Sequence, residues 1–405
     1  MEKNENIVTN ANKSGHEKRN VPTLRFKEFT TLWEQKSFDE VFCILTNNTF
    51  SRAELNYNSG VCKNVHYGDV LIRFPAHIDI SSSDVPYIND QSFNLKLNCS
   101  LLQSGDIVIA DTAEDFTVGK ATEIENKKNM KVSAGLHTIP CRPKIKFSPR
   151  YLGYYINSPA YHNQLIPFIQ GIKVSSISKT LIRKTFISFP SIFEQSKIAT
   201  FLSCLDKKIE VQNKIISMYE TLIKGLCDLL LSNTNTVILP LKSIATINKG
   251  QQINGLALAK TGEYYYLNGG ISPSGYVQEY NTSENTISIS EGGNSCGFVA
   301  YNTQKFWSGG HCYTLKIINT KCRSKFLYFY LKHREKDIMQ LRVGSGLPNI
   351  QKRSLENFAV ALPSVEKQCY IEHILECITA KKEIETDLLG QFQSQKKFLL
   401  SKMFI

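Results

Sequence analysis

No apolar run in this 405-residue chain approaches the roughly 18 residues of a membrane span, so the sequence predicts no transmembrane helix. Residues 1–20 are polar and lack the apolar stretch of a signal peptide. They read as a disordered tail, and a cytoplasmic location is expected. The 11 cysteines are odd in number, scattered, and nowhere spaced C-x-x-C. That excludes a zinc ribbon and argues against a disulfide framework, leaving reduced, packed thiols. Gly119-Lys120 lacks the upstream glycine of a phosphate-binding G-x-x-x-x-G-K-[ST] loop. Neither N-P-P-Y nor D-P-P-F occurs for amino-methyl transfer, and no carboxylate cluster accompanies a strand-borne lysine as in a nuclease. The expectation is a chain with no catalytic residue, no metal and no cofactor of its own.

What is present is positive charge. Lys and Arg number 48 against 36 Asp and Glu, a formal net charge of +12. Such an excess attracts a polyanion, most often nucleic acid. The hydrophobic content of 42% and charged content of 21% are those of a soluble globular protein too long for one core.

The sequence also repeats itself. Ile177 to Ile198 and Ile350 to Ile371 align without a gap, pairing Ile177 with Ile350, Lys179 with Lys352, Pro190 with Pro363, Ser191 with Ser364 and Gln195 with Gln368, each 173 positions on. A duplicated chain can fold as a pseudo-dimer about an internal two-fold axis. After each repeat an a/d seam begins. Steps of four and three from Ile198 reach Leu202, Leu205, Ile209, Gln212, Ile216, Tyr219, Ile223, Leu226 and Leu230. The equivalent second seam runs through Ile371, Leu375, Ile378, Lys382, Glu385, Leu389, Phe392, Lys396, Leu399 and Met403. Ser191 with Glu194 forms a capping box for the first helix, whereas Lys367 interrupts the box that Ser364 would start. Two helices of about 40 residues, roughly 60 Å each, with one apolar stripe apiece are expected to pack antiparallel on each other. Gln212 and Glu385 are polar seam residues that fix register. Cys369, His373 and Cys377 share one helical face and read as the flank of the seam beside Ile374 and Ile378 rather than as metal ligands.

The fold class expected is α+β: two mixed α/β domains joined by two long antiparallel coiled-coil helices in an internal pseudo-two-fold repeat. The segments are a tail at 1–20, a first domain at 21–190, a first long helix at 191–232, a second domain at 237–363 and a second long helix at 364–404. Strands are predicted at Asp69–Phe74, Asp106–Ala110, Thr286–Ser290 and Cys312–Ile317, and helices at Arg150–Tyr161 and Ser324–Ile338, both rich in Tyr, Phe and Leu. Between these landmarks the two domains differ, as two modules reading different things would.

With these residues in view, the chain resembles the specificity subunit of type I restriction–modification systems. The resemblance rests on V-P-T-L-R-F-K-E-F-T-T-L-W-E-Q-K-S-F-D-E-V-F from Val21 and the paired I-x-K-x-x-(L/I)-x-x-x-x-(I/V)-x-x-P-S-x-x-x-Q blocks. N-G-G-I-S-P-S-G-Y at Asn268, I-S-E-G-G-N-S at Ile289, W-S-G-G-H-C-Y at Trp307 and G-S-G-L-P-N-I at Gly344 add to it. It runs from about residue 21 to the end; Gly171-Ile-Lys-Val departs from the fuller loop of the second copy. The resemblance implies two target-recognition domains, each reading half of a bipartite site on double-stranded DNA, and helices that space them. It implies docking of two modification (methyltransferase) subunits holding S-adenosylmethionine and two restriction/motor subunits using ATP and Mg, with adenine methylation and DNA cleavage performed by those partners.

Duplex DNA is gripped by Lys and Arg and read by short polar side chains in Gly-rich loops. In the first domain this selects Arg73, His77, Asp111, Thr112, Lys120 and Lys173. In the second it selects Asn268, Ser272, Ser274, Tyr276, Glu291, Asn294, Ser295, Lys305, Arg342 and Ser345. Readers one helical turn apart or somewhat more, about 34 Å, would leave an unread gap, and inserting a full turn in both helices should lengthen it. The competing readings are a stand-alone, repressor-like pseudo-dimeric DNA binder, which the lack of a helix-turn-helix signal disfavours, and an enzyme whose site escapes sequence motifs.

Overall fold

The computed structural model describes residues 20–81, 84–89, 99–171, 174–232, 236–344 and 346–405. Two sites named above, Lys173 and Ser345, and almost all of the 1–20 tail lie outside the described residues. The chain divides into two compact units: Met1–Glu210 with Gly390–Ile405, and Val211–Leu389. Each long helix therefore contributes to both units.

In the first unit a five-stranded sheet runs in the order Phe42–Ile44, Thr138–Pro143, Ile107–Ala110, Ala121–Glu125, His77–Asp79. All neighbours are antiparallel except the last pair, which is parallel. In the second unit a four-stranded antiparallel sheet runs Ala245–Lys249, Cys312–Ile317, Thr286–Ser290, Val299–Asn302. The first four strands of one sheet and the four of the other share order and sense. The enclosing ribbon is duplicated too: Glu34–Ser37 pairs with Phe186–Phe189, and Val237–Pro240 with Ala359–Leu362, the latter partners again 173 residues apart.

The apolar run I-V-I-A and the alternating T-I-S-I-S make central strands because both faces are covered; Ile107, Val108, Ile109, Ile287 and Ile289 are buried, and so are Ser288 and Ser290. One face takes the aromatic helices. Tyr151–Ile156 buries all six of its residues, and Ser324–His333 buries Phe326, Leu327, Phe329, Tyr330 and Leu331. The predicted single helix at Arg150–Tyr161 is instead two, because Ser158 caps a new helix, Pro159–Leu165, with proline in its first turn. The predicted Ser324–Ile338 likewise breaks at Arg334, before Glu335–Gln340. A further correction concerns Asp69–Phe74. It is not a strand but the end of a short helix, Tyr67–Ile72, capped by the His66 ring, whose Nδ1 accepts from the Gly68 N–H. Asp69 is held there by Arg52 at 2.6 and 3.0 Å.

The long helices are Ile192–Ser232 and Val365–Lys402. They pair antiparallel within each unit. In the first, Asp206 meets Lys396 at 2.5 Å and the Lys208 ammonium lies 5.8 Å from the Phe392 ring. In the second, the Gln212 amide donates to the Glu385 carbonyl at 2.9 Å and Lys382 meets Glu220 at 3.0 Å. Of the seam residues, Leu205 and Gln212 are buried, and Ile216, Tyr219, Ile378, Glu385, Leu389 and Phe392 are partly covered. The stripe is thin, which suits helices held by each other rather than by a broad core. The Ser191 hydroxyl accepts from the Glu194 N–H, but the Glu194 carboxylate does not close the capping box; it is buried against Arg25 at 2.7 Å. Gln195 and Gln368 perform one task twice: each amide donates at 2.9 Å to the carbonyl of its own proline, Pro190 or Pro363, and its oxygen accepts from the backbone before the aromatic helix, at Ser148 or Arg323.

Candidate nucleic-acid interface

The central strand of each sheet ends in a carboxylate, and its neighbour begins just after a histidine. In the second unit Ser290 is paired with Cys312. One step further the Glu291 N–H donates to the His311 carbonyl at 2.9 Å, and the Ile350 N–H donates to the Glu291 carbonyl at 2.8 Å. In the first unit Ala110 is paired with Thr138. One step further the Asp111 N–H donates to the His137 carbonyl at 3.1 Å, and the Ile177 N–H donates to the Asp111 carbonyl at 2.9 Å. Ile177 and Ile350 are the residues that open the sequence repeat. The side chains follow the backbone: His137 Nδ1 is 3.5 Å from Asp111 Oδ1, and His311 Nδ1 is 3.4 Å from Glu291 Oε2.

Around the second pair, Lys249 meets Glu291 at 2.6 Å and the Tyr313 hydroxyl donates to it at 3.2 Å. Asn268 Oδ1 accepts from the His311 N–H at 3.1 Å. Gly269, at φ +77°, is required where it stands: a Cβ would lie 2.6 Å from the His311 carbonyl oxygen. Asn294 and Ser295 belong to the loop that leaves Glu291 and returns through Gly297, whose N–H donates to the Ser290 carbonyl at 2.9 Å. Arg342 lies on a short exposed strand paired with Ile350. Ser272 and Ser274 are exposed on the loop that starts at Asn268, and Tyr276 sits on the adjoining strand Gly275–Val277. Lys305 stands apart, over the Tyr280 ring at 4.7 Å.

Around the first pair, the Thr112 hydroxyl donates to Asp111 at 2.8 Å, and the Tyr67 ring meets His137 edge-on at 5.2 Å. Lys179 donates to Asn47 at 3.2 Å, and Asn47 donates to the Gly135 carbonyl at 3.2 Å. The other residues selected in this domain lie elsewhere. Arg73 is bound by Asp69 at 3.2 Å and Asp84 at 2.6 Å over the Tyr57 ring. His77 is half-buried against Tyr154, and burial pushes its pKa down. Lys120 donates to the Leu71 carbonyl at 2.7 Å, its pKa also lowered by burial. These last two face inward and are poorly placed for a phosphate. His137, His311, Tyr67 and Asn47 were not singled out from sequence. The shared signal was a Gly-rich G-x-H turn before a strand.

Among the described residues, no group of three or more His, Cys, Asp or Glu is placed to hold a metal ion. Cys369, His373 and Cys377 are exposed on the second long helix, with Cys377 Sγ 4.0 Å from His373 Nε2.

The family model described as the type I restriction modification DNA specificity domain matches residues 31–218 and again 234–392. A protein of Mycoplasma pneumoniae described as a type I specificity subunit is 34% identical over 43% of this chain and 46% of its own length. Its Mycoplasma genitalium counterpart is 28% identical over 43% and 47%, so the chain spans about half the length of these curated relatives. A Methanocaldococcus jannaschii protein described as a type I restriction enzyme specificity subunit is 23% identical over 73% and 77%. Among solved structures, the type I restriction-modification S subunit of M. genitalium superposes with a TM-score of 0.63 at 16% identity, over 95% of this chain and 99% of that one. A chain from work on complex assembly and conformational transition of the type I system gives 0.56 at 15%, over 91% and 96%; at these identities the likeness is one of fold. Matched twice, once over each copy of the repeated frame, the chain belongs to the type I restriction-modification DNA specificity family.

Proposed function

We propose that this chain is the DNA-recognition subunit of a type I restriction–modification complex, each unit reading one half of a bipartite, asymmetric site on double-stranded DNA. The observation that carries this reading is one strand-end frame built twice with unlike side chains around it. Duplicated frames present two readers; divergent loops make the halves different. The excess of Lys and Arg supports the backbone grip that both halves need. Catalysis belongs to the partners: two modification subunits carrying S-adenosylmethionine methylate adenine, and two motor subunits using ATP and Mg cleave unmodified DNA. Family membership favours this over the stand-alone repressor-like reading. Among the described residues no helix is long and apolar enough to cross a membrane, and the complex would work in the cytoplasm.

Mapping N6-methyladenine across the genome of cells with and without this chain tests the reading. The expected result is one split motif that vanishes with the chain. Methylation that is unchanged on deletion, or a purified chain that methylates or cleaves DNA alone, sinks it.

A further inference from the structure

We propose that His137 and His311 are the specificity-determining residues of the two half-sites, each held by its own carboxylate, Asp111 and Glu291, as a positioning residue. The proposal rests on the DNA-recognition reading above and names where in each unit bases are read.

Four observations place these side chains together. The two pairs occupy one position in the repeated frame, with the same backbone hydrogen bonds from Asp111 or Glu291 to the histidine carbonyl and from Ile177 or Ile350 to the acid. In both, Nδ1 faces the carboxylate, at 3.5 and 3.4 Å, and in the first unit it also lies 3.4 Å from the Thr112 hydroxyl, so the ring turns one nitrogen inward and has Nε2 left for a ligand. Both rings are open, with side chains 47% and 64% exposed, while their acids are 23% and 12% exposed. Glu291 is the telling partner. Its Oε2 is buried and accepts no hydrogen bond, although Lys249 and Tyr313 both reach Oε1. A buried carboxylate oxygen left open is costly unless something completes it. A short rotation of the His311 ring as it engages a base edge would do so.

A structural role alone does not account for this. A histidine retained for packing would be covered. A carboxylate retained for the Lys249 pair would not need an exposed imidazole beside its second oxygen, as Glu291 has. Imidazole suits base reading because the nitrogen opposite the held one can accept from an amino group or, when protonated, donate to a ring nitrogen or carbonyl.

The test uses the full chain assembled with its modification subunits and the motif found by methylation mapping. Binding of His137→Asn and His311→Asn complexes is measured by competition against duplexes carrying single base changes in either half-site. Each variant should lose roughly 10- to 100-fold of discrimination at one position of one half, His137→Asn in one half and His311→Asn in the other. Asp111→Asn and Glu291→Gln should blur the same positions by a smaller factor, and they keep the proposal testable where a histidine variant does not fold. Specificity unchanged in both halves, or uniform weakening on every duplex with a reduced salt slope, overturns the assignment and marks a phosphate contact or none. A wild-type complex with no sequence preference overturns the DNA-recognition reading itself.

Discussion

The two strand-end sites share a backbone and a histidine–carboxylate pair and differ in the side chains around them. In the first unit the acid is the shorter aspartate, met by the neighbouring Thr112 hydroxyl, and its histidine meets the Tyr67 ring edge-on. In the second it is glutamate, one methylene longer, drawn under the sheet end by Lys249 and Tyr313. The shared geometry is therefore carried by main-chain hydrogen bonds, while the side chains around them differ. Duplication followed by divergence needs such a division: the frame cannot drift without losing the sheet, and the loops can.

The same contrast appears beneath the aromatic helices and can be broken there. Each helix N-terminus is capped by a buried carboxylate, but from different elements. Glu123, on a strand, accepts from the Arg150 N–H at 2.5 Å and the Gly153 N–H at 2.9 Å. Glu372, on the second long helix, accepts from the Phe326 N–H at 2.8 Å and meets Arg323 at 2.5 Å. Gly153 and Phe326 each donate a backbone N–H to one of these carboxylates. The largest expected effect is at Gly153, where a Cβ would lie 2.0 Å from the Ala76 carbonyl oxygen. Gly153→Ala should cost about 3 kcal/mol, read as a lower first transition in thermal unfolding. The conservative Phe326→Leu should cost about 1 kcal/mol. Equal small losses at both would mean that the helices do not sit against their sheets as described.

Glu123 sharpens the contrast through pH. Burial raises its pKa from an ordinary 4.5 to about 7, outweighing the two backbone donors that favour the charged form. The folded state thus holds a proton that the unfolded state releases, so stability falls as pH rises from about 4.5 to 7 and levels off above. The loss is at most about 3 kcal/mol. Glu123→Gln should flatten that slope, measured by chemical denaturation at pH 5 and pH 8. A slope unchanged in the variant would assign the pH dependence to other groups.

How much of this was legible in the sequence follows from where the signals reside. The helices Ile192–Ser232 and Val365–Lys402 and the strands Thr286–Ser290 and Cys312–Ile317 could be read because period and alternation are properties of neighbours along the chain. The helix at Tyr67–Ile72 could not, because a single turn has no period and is made by the His66 cap and the Asp69 ion pairs. Of the proposed site, Asp111 and Thr112 were selected as polar residues at strand ends and loops, and Asn268 and Glu291 as polar residues of Gly-rich loops. His137 and His311 were not paired, since they lie 174 apart, one residue out of step with the gapless 173 that begins at Ile177. A one-residue change in a loop hides an equivalence that sheet register restores. His77 and Lys120 misled because burial is decided by Tyr154 and Leu71, distant in sequence.

The smallest expected effects lie in the helices. Gln212 faces Glu385, its own counterpart 173 residues on, as helices related by a two-fold require. Its amide is nearly buried and satisfied by the Glu385 carbonyl, so Gln212→Ala should cost about 1 kcal/mol. Replacing both residues by Leu removes the desolvated polar pair and should leave stability unchanged or higher while weakening the preference for one register. Crosslinking between cysteines placed along the two helices reads that register directly. A single crosslink pattern retained in the double-Leu variant would show that alignment is set by the apolar seam and the folded units, not by the polar pair.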